Sequence, residues 1–132
     1  MDWCPSYVRA LGSSAAPRHA EHEQSLQHFE SLEGVKQERV PDFAALLAAG
    51  DLPLKVVAMA KDPDAYAEQA RAALPTGLVN IVAAEMHVEF VSPKVNKGLA
   101  LARLCSQELD VSLEDVVAFG DNHNDKEMLG LV

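Results

Sequence analysis

An apolar run that ends in a cluster of acids and amides constrains this 132-residue chain more than any other feature. Residues 116–119 read Val-Val-Ala-Phe, and residues 120–125 read Gly-Asp-Asn-His-Asn-Asp. The pattern predicts a buried strand, a polar loop at its carboxyl end and the start of a helix after it. Ligand sites of open α/β sheets lie at that end of a strand. Hard cations such as Mg²⁺ prefer carboxylate oxygens, and Asp121 and Asp125 would supply them while leaving positions for phosphate and water.

Upstream of this loop, Lys97 stands just ahead of a segment with helical apolar spacing. A cation, an acid pair and a strand-end loop together suggest phosphate chemistry. Two other interpretations compete. Asn and Asp favour turns for local hydrogen-bonding reasons, so the loop could be an ordinary polar turn. An EF-hand calcium loop from Asp121 would need Gly and Glu at its sixth and twelfth positions. Those positions hold Lys126 and Val132, which excludes it.

The two segments together resemble the third and fourth motifs of haloacid dehalogenase-like (HAD) phosphatases. The similarity is strongest to the Cof-type subfamily, whose members carry a large α/β cap domain. The clear resemblance covers 95–129, and a looser, cap-like one covers 54–93. The residues that carry it are Lys97-Gly98-Leu99-Ala100-Leu101, Phe119-Gly120-Asp121, Asn124-Asp125 and Glu127-Met128-Leu129.

The resemblance implies an Mg²⁺-dependent phosphomonoester hydrolase that acts on a small phosphorylated metabolite, such as a sugar phosphate. It implies catalytic roles for Lys97 and Asp125, phosphate binding by Lys97 and Asn124, and Mg²⁺ binding by Asp121 and Asp125. Within that set, Asp121 would be the direct metal ligand. Asp125 would act through water or by orienting the lysine. An alternative for Lys97, an exposed lysine at a helix start, is disfavoured because a cation there opposes the helix dipole.

Other expected family motifs are missing from the chain. The family's nucleophile lies in Asp-x-Asp-Gly-(Thr/Val), a second motif supplies a phosphate-binding Ser or Thr, and neither precedes Lys97. Asp62-Pro63-Asp64 has the spacing but lacks Gly-Thr, and a helix N-cap at Asp62 explains it. Family members also continue beyond Val132. We therefore expect a fragment that is inactive by itself. The alternative is a non-catalytic, truncated or degenerate HAD-like protein that acts as a binding or interaction fragment.

The predicted fold class is α/β, with a small α/β cap domain and an incomplete Rossmann-like core. We expect the cap to have a mixed or antiparallel sheet with helices on one face. The expected divisions are a flexible lead-in (1–16), a cap portion (17–93) and a partial core (94–132). The pattern predicts helices over 18–33, 41–49, 63–74 and 97–109, and strands over 54–60, 78–84, 86–91 and 116–119.

Composition restricts the partners. The formal charge of −9 argues against nucleic acid and anionic membranes, which need basic surfaces. Cys4 and Cys105 have no metal-ligand spacing and suggest no disulfide framework, so a reducing, cytoplasmic location is the default. No apolar run approaches the length of a membrane span, and the N-terminus lacks the regions of a signal peptide. The histidines His19, His22 and His28 are interpreted as surface residues rather than zinc ligands. The oligomeric state is left open.

Overall fold

The computed structural model describes residues 4–9 and 12–132, which form two compact units divided between Ser92 and Pro93. No helix in those ranges is both long enough and apolar enough to cross a bilayer. The described elements, in chain order, are β1 (Cys4–Arg9), β2 (Gly12–Ala15), α1 (Ala20–Glu33), β3 (Glu38–Arg39), α2 (Ala44–Ala48), β4 (Lys55–Met59), α3 (Pro63–Ala73), β5 (Asn80–Ala83), β6 (His87–Val91), α4 (Lys97–Arg103) and α5 (Lys126–Leu129).

The first unit contains a mixed six-stranded sheet with the strand order β3-β2-β1-β4-β6-β5. All neighbouring strands are antiparallel except β2 and β3. The predicted succession of a strand, a helix and two further strands is present as β4, α3, β5 and β6. In β6 Val88 is fully buried, and the other four residues, polar and apolar alike, are partly buried. The α/β fold class predicted from the sequence is confirmed.

Helices α1 and α3 contact opposite faces of this sheet. Phe29 of α1 meets the ring of His87 edge-on, with centroids 5.3 Å apart, and Tyr66 of α3 meets Phe90 in the same way at 6.2 Å. Successive side chains of a strand point to opposite faces, and His87 and Phe90 are three residues apart. The expectation of helices on one face is therefore wrong. Helix α1 follows the two N-terminal strands and returns over the second face, where Leu26 joins the core.

The expectation of a flexible lead-in over 1–16 is also wrong for the described residues 4–9 and 12–15. Strand β1 pairs with both β2 and β4, which places it inside the sheet. Ser6 and Ser14 are fully buried, and hydrogen bonds satisfy both: Ser6 donates to Gln37 and Ser14 donates to Glu38 at 3.3 Å. Neighbouring Ala15 belongs to the hydrophobic core. These polar residues join the sheet because their side chains find partners, which a composition-based prediction does not register.

In the second unit, α4 begins at Asn96, whose side-chain oxygen accepts the N–H of Leu99 at 2.8 Å. Asn96 is therefore the N-cap residue of α4, which starts at Lys97. The helix continues through a π-helical segment, Leu104–Leu109, and ends at Asp110 in a left-handed conformation. Together the two helical segments cover the predicted 97–109. Helix α4 packs against the short helix α5, which follows the acidic loop.

The strand predicted over 116–119 is not formed. Val116 has extended backbone angles (φ −103°, ψ 137°), but the segment joins no sheet. The side chains that should be buried are open to solvent, with Val117 at 78% and Phe119 at 88% exposure. A strand is stable only when a neighbour pairs with its N–H and C=O groups. Among the described residues of the second unit there is no such neighbour, so the apolar run stays extended and unpaired.

Candidate functional site

Lys97 lies at the centre of the site predicted from the sequence. Its Nζ donates to Asp125 Oδ1 at 2.5 Å and lies 3.3 Å from Asn124 Oδ1. The lysine side chain is half exposed, whereas that of Asp125 is only 5% exposed. Lys97 is the first residue of α4, and Asp125 closes the 3₁₀ turn that precedes α5. The packing of these two helices therefore joins three of the four predicted site residues across 28 positions of sequence.

Asp125 organises the loop through its second oxygen. Its Oδ2 accepts the backbone N–H groups of Asp121 and Asn122, each at 3.2 Å. The hydrogen bond from Lys97 is the main reason why the pKa of Asp125 lies below its usual value. The N–H groups of Asn122 and Asp121 lower it further, and burial opposes them. The side chain is therefore a carboxylate at neutral pH, with both oxygens occupied by donors of this chain.

Two glycines permit the close contacts of the site. A Cβ on Gly120 would lie 2.7 Å from Cγ and 2.9 Å from Oδ2 of Asp125. A Cβ on Gly98 would lie 2.9 Å from the carbonyl carbon and the oxygen of Glu127 in α5. Real Cβ atoms do not approach other atoms so closely, so a larger residue at either position would displace its neighbour. Packing within the second unit thus explains why glycine stands at position 98, after Lys97, and at position 120, before Asp121.

Asp121 differs from Asp125. Its side chain is exposed and accepts no hydrogen bond from the described residues. It opens onto a cleft of about 520 Å³. The cleft also contains two basic residues, His123 and Lys126, which were not predicted as site residues from the sequence. They follow Asp121 by two and five positions. The lining residues are Asp121, Asn122, His123, Lys126, Leu129 and Gly130.

The donor set allows a test of whether Mg²⁺ fits here. Mg²⁺ usually binds one or two carboxylates together with substrate phosphates and water, rather than a complete protein cage. Asp121 offers such a carboxylate. Asp125 does not offer a free carboxylate, because both of its oxygens accept hydrogen bonds from this chain. Its remaining role is to orient Lys97. Within 4–9 and 12–132, no group of three His, Cys, Asp or Glu side chains could enclose a metal by itself. The residues therefore fit a metal shared with a phosphate ligand.

The alternative acid pair has a structural role. Asp62 Oδ1 accepts the N–H of Ala65 at 3.0 Å, and Pro63 is the first residue of α3. The N-cap interpretation is confirmed. The surface interpretation of the histidines holds for His19 and His28 but is wrong for His22, which is 6% exposed. The Nδ1 atom of His22, in the first turn of α1, accepts the N–H of Arg18, which precedes that helix, at 3.3 Å.

Two polar residues of β6 form a separate cluster in the first unit. Glu89 accepts a hydrogen bond from Lys55 at 2.7 Å and lies 3.4 Å from Nε2 of His87. The pKa of Glu89 falls to about 2, first because of His87 and then because of Lys55, against the opposing effect of burial. Alternation along the strand suggests the solvent side of the sheet for both. His87 instead packs under Phe29, and its buried Nδ1 has no hydrogen-bond partner in the part of the chain that the structure describes.

The chain is similar in sequence or in fold to several known proteins. The HMP-PP phosphatase of Yersinia enterocolitica is 53% identical over 45 residues, which make up 34% of this chain and 16% of that protein. The crystal structure of TM0651 from Thermotoga maritima superposes with a TM-score of 0.79 at 19% identity, over 98% of this chain and 47% of that one. A haloacid dehalogenase-like hydrolase from B. subtilis gives 0.71 at 20% identity, over 98% and 52%.

The chain covers only part of the length of each of these proteins. It spans about half the length of the two solved structures, and the segment shared with the Yersinia enzyme is a sixth of that enzyme. The solved structures share the fold at low identity. The model of the haloacid dehalogenase-like hydrolase family matches residues 14–132, nearly the whole sequence. The chain therefore belongs to the haloacid dehalogenase-like hydrolase family.

Proposed function

We propose that this chain carries the phosphate-binding and Mg²⁺-binding part of a phosphatase that acts on a small phosphorylated metabolite. The observation that carries the proposal is the contact of Lys97 with Asp125 and Asn124. Asp125 also accepts the backbone N–H of Asp121, whose exposed carboxylate accepts no hydrogen bond from the described residues. The start of α4 thus presents a cation for phosphate, and the loop packed against it presents an oxygen ligand for a metal. Family membership supports the same chemistry.

Each residue has a distinct role in this proposal. The Lys97 ammonium is a compact point charge with three donors, which suits a phosphoryl group. Asn124 holds the ammonium at the phosphate side of the loop. Asp125 positions Lys97 and fixes the backbone at Asp121, so we assign it a positioning role rather than direct metal binding. Asp121 is the Mg²⁺ ligand. When bound, Mg²⁺ offsets negative charge on the transferring group.

The chain by itself is proposed to be inactive. HAD-type hydrolysis uses an aspartate nucleophile and a covalent intermediate, which divides one difficult step into two easier ones. No Asp-x-Asp-Gly-(Thr/Val) segment occurs in this sequence, and the acid pair with similar spacing caps α3 instead. HMP-PP, named in the Yersinia relative, and sugar phosphates are the substrate candidates. The charge of −9 supports a partner other than nucleic acid, and the cysteine usage supports a cytoplasmic location.

The second candidate function is a non-catalytic binding or interaction fragment. The exposure of Val117 and Phe119 favours it, because large exposed apolar side chains mark surfaces that other groups cover. On this alternative the loop retains affinity for Mg²⁺ at most. The two functions share the metal site and differ in phosphate turnover.

Magnesium titration of the purified chain, followed by amide chemical shifts, tests the metal site. We expect Mg²⁺ to shift the amides of 121–125 in the wild type and in Asp115→Asn, an exposed matched control. The same shifts should be absent in Asp121→Asn. Equal shifts in Asp121→Asn and the control would remove the metal assignment.

A phosphate-release assay with p-nitrophenyl phosphate and Mg²⁺ tests whether the chain by itself is catalytically active. We expect no release above the protein-free blank. Release that disappears in Lys97→Ala would show that the chain is a complete catalyst and would overturn the inactivity that we propose.

A further inference from the structure

We infer that the outer edge of β5 is a surface for pairing with β5 of a second copy of this chain, and that Arg71 holds this edge closed. The inference concerns the first unit alone and does not depend on the proposed function. It assigns a role to an exposed arginine of α3 that the candidate site does not use.

The two ends of the sheet are protected to different degrees. At one end, β3 has only two residues, and both are charged. Arg39 forms an ion pair with Glu30 of α1, and Glu38 accepts a hydrogen bond from Ser14. Short, charged strands are a usual protection of a sheet edge. At the other end, β5 reads Asn-Ile-Val-Ala, and residues 72–84 around it carry no charge, so β5 lacks the protection that β3 has.

The hydrogen bonds of the β5–β6 hairpin determine which backbone groups of β5 face outward. The N–H of Ala84 donates to the carbonyl of His87 at 2.8 Å, so the backbone of Ala84 faces β6. In an antiparallel pair, successive residues face the neighbouring strand and the opposite side in turn. The N–H and C=O groups of Ile81 and Ala83 therefore point to the outer edge, which gives two donors and two acceptors there.

Arg71 occupies one of these four groups. Its Nη2 donates to the carbonyl of Ile81 at 3.0 Å from the last turn of α3. The other three outward groups, which are both N–H groups and the carbonyl of Ala83, have no hydrogen-bond partner among the described residues. The guanidinium also places a positive charge in the path of an incoming strand, a further way in which sheet edges are protected. Arg71 is therefore the contact that closes this edge in the described part of the first unit.

The sequence and geometry of β5 suit a second copy as the partner. In an antiparallel pair with the two Val82 side chains opposite each other, Ile81 of each copy pairs with Ala83 of the other. The four outward groups of each copy then form four hydrogen bonds. Val82 is 42% exposed, and β-branched cross-strand pairs stabilise a sheet. Because the chain has a formal charge of −9, two copies repel each other least where uncharged segments such as 72–84 meet.

Sedimentation velocity over a range of concentrations tests the inference. The variants are Arg71→Ala and Arg103→Ala, an exposed control that loses the same charge in the second unit. A dimer of Arg71→Ala no longer has to displace one hydrogen bond in each copy. We therefore expect its association constant to be at least about fivefold above those of the wild type and of Arg103→Ala. Equal association constants in Arg71→Ala and Arg103→Ala would overturn the inference.

A second substitution and amide hydrogen exchange locate the contact. Val82→Lys would place like charges opposite each other in the dimer, so in the Arg71→Ala background it should return association to the wild-type level. The Ala84 amide should stay protected in each variant, which shows that β5 remains paired with β6. In Arg71→Ala, the amides of Ile81 and Ala83 should exchange more slowly as the concentration rises. Association that persists in the double variant, or that leaves these two amides unprotected, would place the contact elsewhere and overturn the inference.

Discussion

Gly98→Ala should loosen the contact between α4 and α5 that brings Lys97 to Asp125. Gly98 is buried, and a Cβ there would lie 2.9 Å from the carbonyl carbon and the oxygen of Glu127. Ordinary contacts are about half an ångström longer, and the neighbour is backbone rather than a flexible side chain end. Overpacking of this kind costs about 1–3 kcal/mol, and the better helix propensity of Ala returns up to about 1 kcal/mol. With the full return, the net loss from the local stability of the second unit is up to about 2 kcal/mol.

Native-state hydrogen exchange measures this loss. The reporter is the Ala100 amide, which donates to the Asn96 carbonyl at 3.1 Å in the first turn of α4. Gly130→Ala is the matched control, because its Cβ would lie at ordinary distances of 3.4 Å and 3.7 Å from the Lys126 and Glu127 oxygens. We expect the control to change protection by less than about 0.5 kcal/mol. Protection in Gly98→Ala that equals or exceeds that of Gly130→Ala would refute the packing explanation.

Three further outcomes follow from the same structure. The pKa of Asp125 is lowered chiefly by Lys97, so its carboxylate stabilises the loop above the usual aspartate range, and that stability is lost as the pH falls through the lowered pKa. An acid titration of the loop amides should show a larger loss in the wild type than in Lys97→Gln, where the N–H groups of Asp121 and Asn122 still bind the carboxylate. The pKa of Glu89 is about 2, so the first unit should lose stability as the pH falls from the usual glutamate range to 2. Urea unfolding at several pH values should show a smaller loss of stability over this range in Glu89→Gln than in the wild type. The amides of 117–119 pair with no described carbonyl and should exchange with solvent within seconds, whereas slow exchange in the monomer would show that the segment is paired.

The helices and strands that were predicted correctly have a local signal in the sequence, either apolar and polar side chains in alternation or a residue that caps the helix. Strand β6 has one fully buried Val88 between less buried neighbours, and α3 begins at the Asp62 cap with Pro63 in its first turn. Strands β1 and β2 escaped prediction because Ser6 and Ser14 are polar. They are buried because Gln37 and Glu38, distant in sequence, satisfy them. Such pairing depends on tertiary structure, so a prediction from neighbouring residues in the sequence does not detect it.

The opposite error occurred at 116–119. A run of four apolar residues favours a strand locally, but a strand also requires a neighbour, and none is present among the described residues of the second unit. Lys97, Asn124 and Asp125, which the motif resemblance groups together, meet in the folded unit. Their roles in catalysis and in phosphate and metal binding stay predictions. The packing role of Gly98 could not be read from the sequence, because it depends on the backbone of α5.

The affinity of the chain for inorganic phosphate in the presence of Mg²⁺ tests the central claim most directly. The claim is that Lys97 and Asp121 act on one phosphate ligand. We predict that Lys97→Gln and Asp121→Asn each weaken phosphate binding, that the exposed control Lys36→Gln does not, and that withdrawal of Mg²⁺ weakens the wild type but not Asp121→Asn. Phosphate affinity that is the same in the wild type, Lys97→Gln and Asp121→Asn would contradict the account.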